Sequence, residues 1–543
     1  MDFNPTLATN RAAEMRARGI WKDKTIEHYF RNALISNPDK TAIVAYRQDW
    51  AEPRRISYRE LDDLANRIAS SLLKLGVGYQ DVVSFQLPNW WEFIALSLAC
   101  VRIGAAANPL MPIFRERELK FMLEMSETKV FVAPRSFRGF DFESMANSLQ
   151  KSLPTLRHTV IVDGEGENSF EKLLLQDFPR AGAGTAEEMK PDDVLLVMFT
   201  SGTTGEPKGV MHTPNTMLTS IDLSIERLQL TPNDVVLGAS PLGHLTGYAL
   251  LAMLPLMLGT TTVLQDVWDG KHALEIISKE GVTFAAGSTP FLSDLCNEVS
   301  KGAARPSNFR LFLCAGAPIP PALVDRAFNE MNLTVCSAWG MTEVGAASVT
   351  EPGRAAEKSS RTDGTPLPHV QLRIVDESGT ALPAGETGRL VVKSPSLFGG
   401  YLKRPELNGL DANGWFDTGD LAYMDTDGYI RINGRSKDIV IRGGENIPVV
   451  TVENLLYAHP AVAGVAIVGY PDARMGERAC AFIVPKPGKT FTFDEMSSYL
   501  SECKLTNQYR PERLEIVDDL PRTATGKIQK YQLREVAKKF SEA

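Results

Sequence analysis

Short apolar runs recur along this chain, each followed by a polar turn and then by apolar residues spaced every three or four positions. That alternation of a buried-strand pattern with a helical period predicts strands at Thr41–Tyr46 and Val82–Leu87, with helices from Tyr58 to Leu75 and from Trp90 to Val101. Lys129–Ala133 and Thr159–Val162 continue the series. Beyond a polar linker over 180–192, strands are predicted at Val235–Ala239, Thr283–Ala286, Leu311–Cys314 and Leu333–Ser337, and helices at Thr246–Leu258 and Pro290–Val299. Such repetition predicts an α/β fold with a largely parallel sheet. A charged leader reads as a helix from Arg11 to Arg18. After Gly364 the pattern changes to short strands with turn signals such as Asp427-Gly428, at Val370–Val375, Gly388–Lys393, Leu421–Met424 and Tyr429–Asn433. This part is expected to be antiparallel. From Asn446 onward, a helix, two or three strands and a further helix predict a small, mobile α+β domain. The expected division is 1–436 and 437–543.

Composition narrows the classes without naming one. A chain of 543 residues should hold more than one domain. Its 43% hydrophobic and 23% charged residues are ordinary for a globular protein. The net charge of −8 argues against a nucleic-acid partner. Cys100, Cys296, Cys314, Cys336, Cys480 and Cys503 are scattered with no CxxC pair, which reads as reduced thiols rather than a zinc site. The N-terminus shows no basic-then-apolar signal, and the longest apolar run, Tyr248 to Leu258, is too short to span a bilayer and contains Pro255. A cytoplasmic location with no integral membrane segment is expected.

The chemistry concentrates after an apolar strand, in Thr200-Ser201-Gly202-Thr203-Thr204-Gly205-Glu206-Pro207-Lys208-Gly209. Glycines let a backbone approach a ligand closely. Successive N–H groups with hydroxyls make an anion cradle, and Lys208 adds a positive charge. A solvated Gly/Ser/Thr loop would share the composition, but not this density of anion-binding groups directly after a buried-type strand. The pattern differs from the common P-loop, which ends Gly-Lys-[Ser/Thr]. The other Gly-rich stretches also follow predicted strands, where ligands sit in open α/β sheets.

Taken together, five stretches resemble the adenylate-forming superfamily of acyl-CoA synthetases, peptide-synthetase adenylation domains and firefly-type luciferases, over nearly the whole chain. They are Thr200–Gly209, Trp339-Gly340-Met341-Thr342-Glu343, Asp417-Thr418-Gly419-Asp420, Gly434-Arg435-Ser436-Lys437-Asp438, and Pro521-Arg522-Thr523-Ala524-Thr525-Gly526-Lys527. The resemblance implies ATP, Mg²⁺ and coenzyme A as cofactor and co-substrates. It places Asp420 on the ribose hydroxyls, with Arg435 as a second ribose or phosphate contact. A carboxylate suits a diol, although a turn aspartate after Gly419 would look the same in isolation. Thr342 would touch the α-phosphate and Glu343 would ligate Mg²⁺. Trp339, in a loop, would stack on adenine, with Gly316, Ala317 and Pro318 bordering it. Lys527 would bind both the substrate carboxylate and the α-phosphate. Lys437 would be the hinge, and Gly443 and Gly444 would admit the pantetheine arm of coenzyme A.

The same resemblance makes His244, Thr246 and Gly247 one wall of the acid pocket and Gly287 and Ser288 another. Gly340 stands where acetate-restricted relatives carry an indole, so a longer or ring-shaped acid is expected. No Lys, Arg or Asp occurs in these walls, which disfavours an amino acid. The motifs look most like bacterial short- or medium-chain fatty acyl-CoA synthetases and cyclohexanecarboxylate-CoA ligases. The expected activity is an acid:CoA ligase acting through an acyl-AMP intermediate. An enzyme loading a carrier protein and an aryl-acid CoA ligase are the alternatives; the chain ends soon after Lys527, so no fused carrier is expected. A homodimer, and an acetyltransferase and deacetylase acting at Lys527, stand as further candidate partners.

Overall fold

The computed structural model describes every residue except 177–186, 201–206, 317–318, 436–439, 443–444, 473–474, 504, 506, 523–525, 527 and 543, and excludes the side chains of 435, 441, 445, 446, 476, 508, 541 and 542. Two α/β sheets form its bulk. In the larger, strands Thr334–Met341, Leu311–Ala315, Phe284–Gly287, Val235–Gly238, Thr261–Gln265 and Thr41–Tyr46 lie side by side and run parallel. In the smaller, Leu196–Thr200, Ala106–Pro109, Val82–Phe85, Val130–Pro134 and His158–Val162 do the same. Antiparallel strands close the larger sheet at both edges and the smaller at one, so the expected parallel character holds for the interiors only. Strands Gln371–Val375, Gly388–Lys393, Phe416–Met424 and Ile430–Arg435 make the expected antiparallel sheet.

The helix pair between the sheets shows how sequence sets the packing. Tyr58–Lys74 turns Leu61, Leu64, Ala65, Ile68, Ala69 and Leu72 inward, and Ser57 caps its start by accepting the Glu60 N–H. It packs on Trp91–Arg102, which is buried from Trp91 through Val101 because it is apolar nearly all round. Each fully buried Leu or Ile in such an interface is worth roughly 1.5–3 kcal/mol of transfer free energy.

The expected helix Thr246–Leu258 divides instead into a π-helix, Gly247–Met253, and an α-helical turn, Leu254–Leu258. Pro255 is the reason: it has no N–H for the Leu251 carbonyl that an α-helix would pair with it. That carbonyl accepts the Thr262 hydroxyl at 2.9 Å instead. One further expectation shifts: Trp339 lies within strand Thr334–Met341 rather than in a loop. Asp417–Asp420 lies within strand Phe416–Met424, against the alternative of a simple turn aspartate.

The small C-terminal domain carries its own mainly antiparallel sheet, with strands Glu445–Ile447, Val440–Arg442, Gly476–Pro485 and Val462–Asp472, and with Arg513–Ile516 added parallel. The three strands wholly beyond Asn446 match the two or three expected there; the hairpin Val440–Arg442/Glu445–Ile447 is added ahead of them. Helices Val449–Tyr457, Phe493–Glu502 and Lys530–Ala537 accompany it. Its buried clusters draw only on residues from Val440 onward. Among the described residues, no helix is long and apolar enough to cross a membrane.

Candidate active site

The two ends of the expected anion loop are held by a strand pair. Strands Leu196–Thr200 and Lys208–His212 pair antiparallel, and Thr200 faces Lys208 at the root. Ser201, Gly202, Thr203, Thr204 and Gly205 lie outside the described residues. The outer neighbour of this hairpin is Gly400–Tyr401, and Lys208 Nζ lies 4.8 Å from the centroid of the Tyr401 ring, within cation–π range.

Tyr401 joins two of the expected site residues. Its hydroxyl donates to Glu343 Oε1 at 2.7 Å, while the Glu343 carbonyl accepts the Phe398 N–H at 2.7 Å. Burial, and then the adjacent Glu343 carboxylate, push the Tyr401 phenol well above its ordinary pKa, so it stays a donor. Glu343 is buried, and its other oxygen, Oε2, has no hydrogen-bond partner among the described residues. One held and one available carboxylate oxygen suit a hard divalent cation that takes most of its ligands from phosphate and water. No group of three or more His, Cys, Asp or Glu able to hold a metal by itself occurs among the described residues. The site therefore fits Mg²⁺ only together with substrate oxygens.

His212 supports the neighbouring residue. Its Nε2 lies 2.7 Å from the Thr342 carbonyl and its Nδ1 3.0 Å from Thr216 Oγ1. Nε2 must carry the proton, since a carbonyl only accepts. Burial outweighs the carbonyl's favour for the charged ring and lowers its pKa to about 4, so the imidazole is neutral near pH 7. Neither Tyr401 nor His212 was among the sequence-derived residues. The Gly399-Gly400-Tyr401 run and a histidine ending an apolar strand were the available signals.

The two ends of the expected nucleotide site also meet. Trp339 Nε1 donates to Asp420 Oδ2 at 2.8 Å, and both side chains are buried. Asp420 is further set by its own N–H on Thr418 Oγ1, and Gly419 takes φ +71°, the left-handed region open to glycine. Arg435 stands opposite Asp420 in strand register; its side chain is outside the described set. Gly316, φ +86°, follows strand Leu311–Ala315 with open space around it, whereas Ala317 and Pro318 lie outside the described residues. Met341 is partly buried against the main core.

Gly340 has a reason of its own. A Cβ built there would lie 2.3 Å from the Gly345 carbonyl oxygen, so backbone packing in the Thr334–Met341/Gly345–Val349 hairpin accounts for the glycine without reference to a pocket.

The expected acid walls form one tight unit. The His244 N–H donates to the Pro241 carbonyl, its Nδ1 accepts the Thr246 N–H at 3.3 Å, and its carbonyl accepts the Tyr248 N–H. At Gly247 a Cβ would fall 2.0 Å from the Pro241 oxygen, so only glycine fits. Gly287 lies beside Ser240 and Phe291, and Ser240 Oγ donates to the Ala286 carbonyl, joining the two walls. From the small domain, Gly526 at φ +80° packs on the second wall: its Cβ position is 3.1 Å from Pro290 Cγ and 3.4 Å from Ser288 Oγ. Lys527, Lys437, Gly443 and Gly444 lie outside the described residues.

A strand hairpin with Lys208 at its root, a buried carboxylate joined to it through Tyr401, and a Trp–Asp pair bridging two sheets fit an adenylate-forming acid ligase. The chain belongs to the AMP-binding enzyme family: the model of that family matches residues 30–402 and that of the AMP-binding enzyme C-terminal domain matches 451–527. It is 36% identical to the medium-chain fatty-acid–CoA ligase of Escherichia coli (strain K12), over 98% of this chain and 94% of that one. It is 32% identical to the 2,3-dihydroxybenzoate-AMP ligase of Bacillus subtilis (strain 168), covering 96% of each. Among solved structures, the anthranilate CoA ligase AuaEII in complex with anthranoyl-AMP superposes with a TM-score of 0.86 at 25% identity, over 96% of this chain and 98% of that one. The chain is an ATP-dependent, AMP-forming acid–CoA ligase.

Proposed function

We propose that the enzyme activates an uncharged apolar acid, a short- or medium-chain fatty acid or an alicyclic acid, to its coenzyme A thioester. The observation that carries this reading is Gly526 seated on Ser288 and Pro290, which brings the chain next to Lys527 against the acid wall. The walls Pro241–Tyr248 and Gly287–Phe291 contain no Lys, Arg or Asp, which disfavours an amino acid and suits an uncharged apolar acid. The E. coli relative named for medium-chain fatty acids supports the same class.

In the first step a carboxylate oxygen of the acid attacks the α-phosphorus of ATP. The bond from that phosphorus to the bridging oxygen breaks, giving acyl-AMP and pyrophosphate. Asp420 and Arg435 hold the ribose, Trp339 lines the adenine site, and the Thr342 hydroxyl contacts the α-phosphate. The hairpin loop with Lys208 grips the β- and γ-phosphates. Glu343, oriented by Tyr401, would hold Mg²⁺, which supplies positive charge against the departing pyrophosphate. Lys527 sits between carboxylate and phosphate, two like charges that need a cation between them in the transition state. Residues 437–543 then turn about Lys437, and the coenzyme A arm enters past Gly443 and Gly444. The thiol sulfur bonds to the acyl carbon, AMP departs, and the thiol proton is released to solvent.

A pyrophosphate-release screen with coenzyme A, over aliphatic, alicyclic and aromatic acids with thioester detection, tests this. Highest kcat/KM for an aliphatic or alicyclic acid is expected. Preference for a hydroxybenzoate or aminobenzoate would overturn the substrate class, and acyl-AMP without thioester would point to carrier loading.

A further inference from the structure

The segment Pro88–Trp90 follows strand Val82–Phe85 of the smaller sheet, yet the Asn89 side chain reaches the larger one. Its Nδ2 lies 3.0 Å from the Gly238 carbonyl oxygen, 3.2 Å from that of Ala239, 3.1 Å from that of Ser240 and 3.2 Å from that of Gln265. Its Oδ1 accepts the Leu242 N–H at 2.9 Å. Two amide hydrogens thus serve four carbonyls through shared bonds, and the side chain is only 5% exposed. The orientation is fixed by chemistry: flipping the amide would turn an oxygen toward four oxygens and a donor toward the Leu242 donor.

The Gly238 and Gln265 carbonyls end strands Val235–Gly238 and Thr261–Gln265, those of Ala239 and Ser240 follow the first strand, and Leu242 begins the turn that carries His244 and Gly247. From the same point Ser240 Oγ crosses to the Ala286 carbonyl, next to Gly287 of the second wall. We propose that Asn89 is a positioning residue for acid selection: it ties the smaller sheet to the start of one pocket wall and, through Ser240, to the other. This rests on reading Pro241–Tyr248 and Gly287–Phe291 as the acid pocket. Among the described residues Asn89 hydrogen-bonds to neither the Lys208 hairpin nor the Trp339–Asp420 pair, so its loss should act on the acid and spare the nucleotide.

The test compares the wild-type chain with Asn89→Ala and with the milder Ser240→Ala, in the pyrophosphate assay. In both, KM for the preferred acid should rise about ten-fold or more while KM for ATP changes less than about two-fold, since a wall displaced by an ångström disturbs one substrate only. The ratio of kcat/KM between acids of different length or ring size should also flatten. Equal loss for all acids, or a matching rise in KM for ATP, would overturn the proposal. Backbone hydrogen exchange of the intact protein separates this failure from that of the ligase reading. If the wild type releases no pyrophosphate with any acid, the acid-pocket reading has failed. Faster exchange confined to 240–247 in Asn89→Ala would still establish positioning of that segment, and unchanged exchange there would refute it.

Discussion

Single side chains in this site act mostly through the groups they hold. Tyr401 has a ring under the Lys208 ammonium and a hydroxyl on the Glu343 carboxylate. Tyr401→Phe keeps the first and removes the second. If Glu343 holds Mg²⁺ as proposed, loss of the group that orients it typically costs 10–100-fold in metal affinity, so the Mg²⁺ concentration for half-maximal pyrophosphate release should rise about ten-fold or more, with the thermal midpoint little changed. An unaltered Mg²⁺ titration would remove Tyr401 from the metal site. His212 makes a pH prediction. Its folded-state pKa, about 4, lies below the ordinary value of 6.5, so the unfolded chain binds the proton first. Stability is therefore lost as pH falls from about 6.5 toward about 4, and that ring alone contributes up to about 3 kcal/mol of the loss. In His212→Gln, whose amide can donate to the Thr342 carbonyl without titrating, the drop in thermal midpoint between pH 7 and pH 5 should be smaller. An identical drop would place the titration elsewhere.

Elements were legible where local pattern decides them. Strand Gly388–Lys393 and helix Tyr58–Lys74 follow from apolar alternation, helical spacing and the Ser57 cap, all written within a few residues. The π-helix was not legible, because the donor that rescues the Leu251 carbonyl is Thr262, on a strand beyond the helix. Thr262→Val should consequently cost about 1–3 kcal/mol, the price of a buried carbonyl without a donor. Thr262→Ser should recover most of it, and urea unfolding of the pair is the check. The placement of the expected site residues was legible in the same measure. Thr200, Lys208, Thr342, Glu343 and Asp420 stand in contiguous motifs and the fold gathers them. Tyr401 and His212 meet their partners across separations of 58 and 130 residues, where no local spacing marks the pairing. Trp339 was misplaced into a loop because a strand edge and a glycine turn read alike until the Gly345–Val349 partner is seen.

At the scale of the molecule, a large platform of two α/β sheets carries a small C-terminal domain with its own sheet and core. Gly526 packs on Ser288 and Pro290, and in the proposed mechanism the next residue in the chain, Lys527, serves acyl-AMP formation. Lys527→Ala should lower pyrophosphate release from acid and ATP by about 10²-fold or more, the scale of one electrostatic transition-state contact. Thioester formation from synthetic acyl-AMP and coenzyme A should fall less than about ten-fold. Equal loss of the two half-reactions would show that Lys527 is not specific to the first.

The hairpin root has a consequence for how such a grip can change. Thr200 and Lys208 face each other in register, so the span between them starts and finishes at one place whatever its length. Doubling that span costs only about 0.6 kcal/mol of closure entropy, and it leaves the lysine over Tyr401. Under the proposed mechanism the span between Thr200 and Lys208 could therefore change in length and sequence while the lysine, the phenol and the carboxylate behind it keep their contacts.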